Sequence, residues 1–204
     1  MPGASMGRED WNRRYSGREL VWTEEPNRFL VAETAGLAGG RVLDLACGEG
    51  RNAVWLASRG WQATGVDFSD VALEKARLLA DGRGVEAEWI VSDLLAYRPP
   101  ARAFELVIVF YLQVVEAERR PILRAAAEAV APGGTLLLVA HDRSNLEQGY
   151  GGPQDAAVLY TAEDVVADLD GFDVERAECV ERPVQTDDGE RVALDVLVRA
   201  VRPA

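Results

Sequence analysis

Two carboxylates bracket a glycine turn in the stretch Val42-Leu-Asp-Leu-Ala-Cys-Gly-Glu-Gly-Arg-Asn52. Asp44 stands at the mouth of the turn and Glu49 inside it, between Gly48 and Gly50. Such a turn at the start of a helix attracts anions through its free N–H groups and the helix dipole. Gly48-Glu-Gly50-Arg-Asn-Ala53 also fits the G-x-G-x-x-A form of a dinucleotide fingerprint, a weakly specific signal by itself. A pyrophosphate there would face the like charges of Asp44 and Glu49. A ligand that joins an adenosine to positive charge suits the turn better. S-adenosylmethionine does so: Asp67, at the end of the next apolar stretch, can take the ribose, and the acidic turn can take the sulfonium and ammonium.

A second group of residues stands where an acceptor would meet that ligand. Tyr111 follows the apolar run Leu106–Phe110, and His141-Asp-Arg143 follows Thr135–Ala140. His141, the one histidine of the chain, can act as a general base or as a hydrogen-bonding group near neutral pH, so Tyr111 and His141 are the catalytic candidates. Arg143 can hold an anionic acceptor, and Tyr160 with Gly149-Tyr-Gly-Gly-Pro153 can shape a pocket wall. The competing readings are a solvent-exposed loop histidine and glycines that only permit tight turns. Cys47 reads as a small buried residue and not as a nucleophile.

These residues need a scaffold that brings strand ends together. Val42–Leu45 and Gln62–Val66 read as strands joined by a helix from Asn52 to Arg59. Ser69 caps a helix over 70–81, closed by Gly82 and Gly84. Strands follow at 86–91, 106–110 and 135–140; the last two are apolar throughout, as parallel strands covered on both faces are. Pro121 is expected in the first turn of a helix that runs to Val130 and closes at Ala131-Pro-Gly-Gly134. Thr161 with Asp164 caps a helix ending at Gly171, and strands at 177–183 and 191–199 form a hairpin about Asp187-Asp-Gly189. In such a sheet ligands bind outside the carboxyl ends of the strands, where Tyr111 and His141 fall.

Composition excludes several classes. The 204 residues suit one domain with a sizeable core, and 48% hydrophobic content is ordinary for a globular chain. A net charge of -12 argues against broad nucleic-acid binding. No apolar run reaches the roughly 20 residues needed to span a bilayer, and Met1–Asp10 lacks a secretion-signal core. Two cysteines and one histidine leave no disulfide framework and no multi-histidine metal site. The expected location is cytoplasmic, the expected partner a small-molecule acceptor, without nucleic acid, membrane or metal, and the expected state a monomer or homodimer.

Four motifs in order then resemble one family. Asp44-x-x-Cys-Gly-x-Gly50, Asp67 after the second strand, Ser92-Asp93-Leu94 after the third and Pro132-Gly-Gly134 before the fifth are similar to class I S-adenosylmethionine-dependent methyltransferases. Gly48-Glu-Gly-Arg-Asn52 and an aromatic N-terminus look most like the small-molecule branch, with its tellurite-resistance-type and thiopurine-type members. The resemblance implies an α/β fold: a Rossmann-like, seven-stranded, mostly parallel sheet with helices on both faces and a C-terminal antiparallel β-hairpin. It implies a single domain over 1–204, with an N-terminal lid at 1–39, a cofactor core at 40–140, a substrate loop at 141–160 and a helix and hairpin at 161–204. Asp44, Ala46, Gly48 and Gly50 would lie against the methionine part, Asp67 on the ribose, Phe68 on adenine, Asp93 on the adenine amino group and Leu94 on its ring. Phe110 would line the methyl-donor pocket, and Trp11, Tyr15 and Trp22 would close over it.

Alternatives stay open at this point. Asp67 can be a helix cap, Asp93 a loop residue, Phe68 and Phe110 plain core, and the N-terminal aromatics the packed face of an amphipathic helix. Gln113 stands where some relatives carry a histidine. The expected activity is methyl transfer to a small molecule, against a nicotinamide-dependent oxidoreductase or a non-catalytic cofactor-binding module.

Overall fold

The computed structural model describes residues 6–204, so the first five residues of the Met1–Asp10 stretch lie outside what it describes. The chain forms one seven-stranded sheet in the order β3-β2-β1-β4-β5-β7-β6. Its strands are β1 (Arg41–Leu45), β2 (Gln62–Asp67), β3 (Ala87–Val91), β4 (Phe104–Phe110), β5 (Val130–His141), β6 (Asp173–Thr186) and β7 (Gly189–Val201). The β1–β2, β1–β4, β2–β3 and β4–β5 pairs are parallel, and β7 runs antiparallel to both β5 and β6. The sheet is therefore the seven-stranded Rossmann-like sheet with a terminal hairpin that the sequence implied.

Alternation along the central strands builds two cores. Val107 and Val109 of β4 and Leu136 and Leu138 of β5 face one layer. There they meet Ile122, Leu123 and Ala126 of α5 (Glu116–Ala129) and Val165 of α7 (Ala162–Val166). Leu106, Ile108 and Phe110 of β4 and Leu137 and Val139 of β5 face the other layer. That layer holds Leu30 of α2 (Arg28–Thr34) and Ala53 and Leu56 of α3 (Arg51–Ser58). The stretches 106–110 of β4 and 136–140 of β5 are apolar throughout because both faces are covered there.

The remaining helices are α1 (Arg8–Tyr15), α4 (Asp70–Arg83) and α6 (Asn145–Gln148), with a 3₁₀ turn at Ala156–Val158. Ser69 caps α4 by accepting from the Ala72 N–H at 3.1 Å. Several sequence-based bounds need correction. α5 begins at Glu116, so Pro121 lies inside it; the carbonyl its missing N–H leaves free belongs to Ala117, which is exposed and can reach water. Pro132-Gly-Gly134 is not a helix-ending turn but a register shift near the start of β5, between the pairs Phe104–Val130 and Leu106–Thr135. α7 stops at Val166, five residues before Gly171, although the Thr161–Asp164 capping box forms as expected. The hairpin strands are longer than their apolar pattern, because regular pairing carries exposed residues such as Asp173 and Glu190 into the ladder. Among the described residues no helix is long and apolar enough to cross a membrane.

Candidate active site

The carboxyl ends of β1, β2, β4 and β5 open into a cavity of about 990 Å³. That lies at the upper end of the usual range for ligand sites. The β1 end supplies the turn. Ala46 (φ 59°) and Gly48 (φ 54°) stand in the left-handed region, and Gly50 (φ 78°) opens α3 in the same conformation. At Gly50 a side chain is excluded twice over, by its φ and because a Cβ would lie 2.6 Å from the Trp89 ring and 2.7 Å from the Ala76 Cβ.

Asp44 is 1% exposed, and its Oδ2 has no hydrogen-bond partner. Burial, and then the nearby Asp67 carboxylate, push its pKa up to about 8. Asp67 is also buried; its Oδ2 accepts from the Gly48 N–H and its Oδ1 from the Ser69 N–H, each at 2.8 Å. Burial raises the Asp67 pKa against these backbone bonds. Both readings of Asp67 thus meet in one residue: it organises the turn and still lines the cavity. Glu49 differs from the sequence reading. Its carboxylate accepts from the Val21 and Trp22 N–H groups at 2.9 and 3.2 Å and pairs with Lys75 at 3.0 Å. Its charge is already matched, so it fastens the N-terminal segment to the turn.

Phe68, Asp93, Leu94 and Phe110 all line the cavity. Asp93 also accepts from the Leu95 N–H at 2.8 Å, a local turn contact. Trp11 stacks on Tyr15 with ring centroids 5.5 Å apart, and the Arg14 guanidinium lies 5.3 Å from the Trp11 ring and 5.2 Å from the Trp22 ring. Tyr15 is buried with its hydroxyl facing Gly48, at 3.0 Å from where a Cβ would stand. α1 is fixed to the head of α4: Asn12 donates to Asp70 at 3.0 Å, and its side-chain oxygen accepts from Ser69 Oγ at 2.6 Å.

The β4 and β5 ends carry a polar network. Tyr111 has φ 55°, a strained setting for a bulky residue, and its hydroxyl donates to Asp195 Oδ2 at 2.7 Å. Asn27 Nδ2 donates to the same hydroxyl at 3.3 Å. The Arg182 Nε donates to Asp195 Oδ2 at 2.6 Å, and its guanidinium lies 5.7 Å from the Tyr111 ring. His141 Nδ1 stands 3.1 Å from Asp195 Oδ1, in ion-pair range but off the axis of a hydrogen bond. Asp195 is fully buried. Burial alone would raise its pKa, yet His141, Arg182 and Tyr111 together hold it below the usual carboxylate value. Burial and then the Asp195 charge raise the Tyr111 pKa, so its phenol stays protonated. The Cys47 thiol is pushed up by burial and by Asp44 and Asp67, which makes it a poor nucleophile.

Two expected acceptor residues fall elsewhere. Arg143 turns away from the cavity, pairs with Asp164 at 2.9 Å and borders a separate cleft of about 550 Å³. Asp142 bridges in parallel to Tyr160 and opens a turn in which its carbonyl accepts from the Asn145 N–H at 3.0 Å, and Arg143 stands in that turn. Tyr160 is 1% exposed; its hydroxyl donates to the Leu112 carbonyl, and it belongs to the core. Sequence reasoning missed Asn27, Arg51, Arg182 and Asp195, all of which line or support the cavity. A signal for Asp195 was present: it is the one charge within Val192-Ala-Leu-Asp-Val-Leu-Val198, and an acid inside an apolar strand needs a buried partner. Register then sets Asp195 opposite His141.

Comparison with known proteins follows this geometry. Residues 42–134 match a family described as "Methyltransferase domain". A ubiquinone biosynthesis O-methyltransferase of Idiomarina loihiensis is 35% identical over 118 residues, 57% of this chain and 48% of that protein. One of Pseudomonas aeruginosa is 33% identical over 136 residues, 66% of this chain and 58% of that protein. The chain thus spans about half the length of the curated relatives it matches. A structure from work on conversion of a disulfide bond into a thioacetal group during echinomycin biosynthesis superposes with a TM-score of 0.78 at 25% identity, over 96% of this chain and 91% of that chain. The N-methyltransferase NodS of Bradyrhizobium japonicum, in complex with S-adenosyl-L-homocysteine, shares the fold at a TM-score of 0.73 and 18% identity, over 97% and 98%. TehB of Haemophilus influenzae does so at 0.71 and 14%, over 96% of this chain and 66% of that chain.

Proposed function

We propose that this chain is a class I S-adenosylmethionine-dependent methyltransferase and that it methylates a small-molecule acceptor held in the large cavity. The observation that carries the proposal is Asp44: a buried carboxylate oxygen without a partner, beside a turn that admits no side chain at Gly50. An unpaired buried acid is costly, and a cationic ligand removes the cost. The donor's ammonium supplies such a cation. In this reading Asp44, Ala46, Gly48 and Gly50 hold the methionine part. Asp67 takes the ribose with the lone pairs its backbone contacts leave free, and Phe68, Asp93 and Leu94 surround adenine. Phe110 lines the donor pocket, and Trp11, Tyr15 and Trp22 close the entrance.

When bound, the donor supplies an electrophilic methyl group on sulfonium. The protein's part is to position the acceptor and exclude water, which together account for much of the rate in such displacements. Tyr111 stays protonated and serves as a hydrogen-bonding anchor. Asp195 occupies the His141 Nδ1 side, so Nε2 is the ring nitrogen left to take a proton from an acceptor that arrives protonated. Curated relatives named as O-methyltransferases make a hydroxyl oxygen the first acceptor atom to test.

The proposal also includes the fourfold division of the chain at 39, 140 and 160, a cytoplasmic location, no nucleic-acid or membrane partner, and a monomer or homodimer. Titration calorimetry with S-adenosylmethionine, S-adenosylhomocysteine and NAD(H) tests the donor. Binding of the first two is expected; binding of NAD(H) alone overturns the reading.

A further inference from the structure

Arg8, Arg14, Arg28, Arg51 and Arg182 line the cavity of a chain whose net charge is -12. Their surroundings differ. Arg8 is matched by Asp70 at 3.1 Å, and Arg14 lies between the Trp11 and Trp22 rings. Arg51 is half-buried, yet among the described residues no carboxylate lies within 4.0 Å of it; its one hydrogen bond goes to Thr23 Oγ1 at 3.5 Å. Arg182 spends its Nε on Asp195, a carboxylate already shared with Tyr111 and His141. Arg51 and Arg182 are close enough for their charges to oppose each other, and both act on Tyr111. Two guanidinium groups therefore meet beside Tyr111, and Arg51 has no carboxylate in ion-pair contact among the described residues, although the charges of Asp44 and Glu49 reach it from farther off. An anionic ligand would give that guanidinium the direct partner it lacks.

We propose that the methyl acceptor is an anion, gripped through a carboxylate or comparable oxyanion by Arg51 and Arg182 beside Tyr111. Guanidinium forks match the two oxygens of a carboxylate, which neither Tyr111 nor His141 can do alone. The anion is the handle and the methylated atom lies elsewhere on the molecule, near His141. This deepens the methyltransferase reading and rests on it. It also moves the anion-binding role expected of Arg143 onto two residues from α3 and β6.

The test uses the full chain saturated with S-adenosylhomocysteine and titrated with matched acids and amides: benzoate and benzamide, phenylacetate and phenylacetamide, hexanoate and hexanamide. At least one acid is expected to bind tenfold or more tighter than its amide, with the preference shrinking as salt rises. Arg51→Gln should weaken that acid tenfold or more, leave the amide unchanged and keep S-adenosylhomocysteine affinity within twofold. Its melting temperature without ligand should stay close to that of the parent, because the substitution removes only a 3.5 Å contact to Thr23 and the longer-range charge felt by Asp44 and Glu49. Arg182→Lys keeps a charge beside Asp195 but loses the fork, and should weaken the acid by a smaller factor. Acids that bind no better than amides across the set would overturn the proposal. So would Arg51→Gln that weakens S-adenosylhomocysteine and spares the acids, since Arg51 would then serve the donor's own carboxylate. Failure of S-adenosylhomocysteine to bind at all would strike the donor assignment instead, and the acid–amide comparison on the free protein still reads the anion site.

Discussion

Asp44 is a carboxylate whose charge is set first by burial and then by Asp67. With a pKa raised to about 8, the folded protein keeps its proton at neutral pH while the unfolded chain does not. The stability this contributes is present below the ordinary carboxylate pKa and is lost as pH rises toward about 8. Asp44→Asn should therefore melt higher than the parent at pH 8 without ligand, by ~2–4 °C for each kcal/mol relieved. It should also bind S-adenosylmethionine at least tenfold more weakly, read by calorimetry; equal melting at pH 8 would refute the buried charge. Asp67→Ala should weaken S-adenosylhomocysteine by about 2 kcal/mol, roughly 30-fold, and lower the melting temperature because the Gly48 and Ser69 N–H groups lose their acceptor. The corrected residues give the reverse pattern. Arg143→Ala should leave the acceptor KM within twofold. Tyr160→Phe should cost ~1–3 kcal/mol of stability in denaturant melts, by stranding the buried Leu112 carbonyl, with little change in KM. Asp67 and Gly48 were readable because backbone geometry at a strand end dictates both. Arg143 was not, because its direction depends on the turn that Asp142 opens and on the bridge to Tyr160. Arg182 and Asp195 were hidden by distance: their place opposite Tyr111 and His141 exists only once the hairpin registers on β5.

At the scale of elements, Glu49 turns the glycine loop into a fastening for the N-terminal segment. Three contacts, to Val21, Trp22 and Lys75, converge on one buried carboxylate. The segment from Leu20 to Pro26 has no regular structure of its own, so this fastening stands in for a ladder. Glu49→Ala should speed amide exchange at Val21 and Trp22 while β1, β4 and β5 stay protected, and should raise the KM for S-adenosylmethionine. Unchanged exchange at those two amides would show that the aromatic stack, with Arg14 between Trp11 and Trp22, holds the segment without Glu49. The buried strands were legible because each is covered on both faces, which leaves an apolar run that loops do not show. Helix limits were less legible. Pro121 signals a start only when its missing N–H would otherwise be stranded, and the exposed Ala117 carbonyl removes that penalty. The long ladder of β6 and β7 followed from pairing geometry rather than from hydrophobic pattern, so its polar ends read as loops.

For the whole molecule, one sheet sets two chemistries side by side. In the proposed reading the acidic β1–β2 end meets the donor, and the β4–β5 end, completed by the hairpin and flanked by Arg51 of α3, meets the acceptor. The hairpin thus has a second task beyond closing the sheet: β6 runs in the same direction as β5, and so delivers Arg182 to the ligand side, while β7 delivers Asp195 to hold it. The overall negative charge disfavours polyanionic partners and leaves the local Arg51–Arg182 pair to select a small anion. The most direct measurement is transfer of an isotopically labelled methyl group from S-adenosylmethionine, followed by mass spectrometry, across phenols, carboxylic acids, thiols, amines and chalcogen oxyanions. The predicted result is a labelled methyl group on at least one small molecule, formed together with S-adenosylhomocysteine and cut at least tenfold in Asp67→Ala. A protein that binds S-adenosylhomocysteine yet labels nothing in that range would contradict methyl transfer and leave a cofactor-binding module in its place.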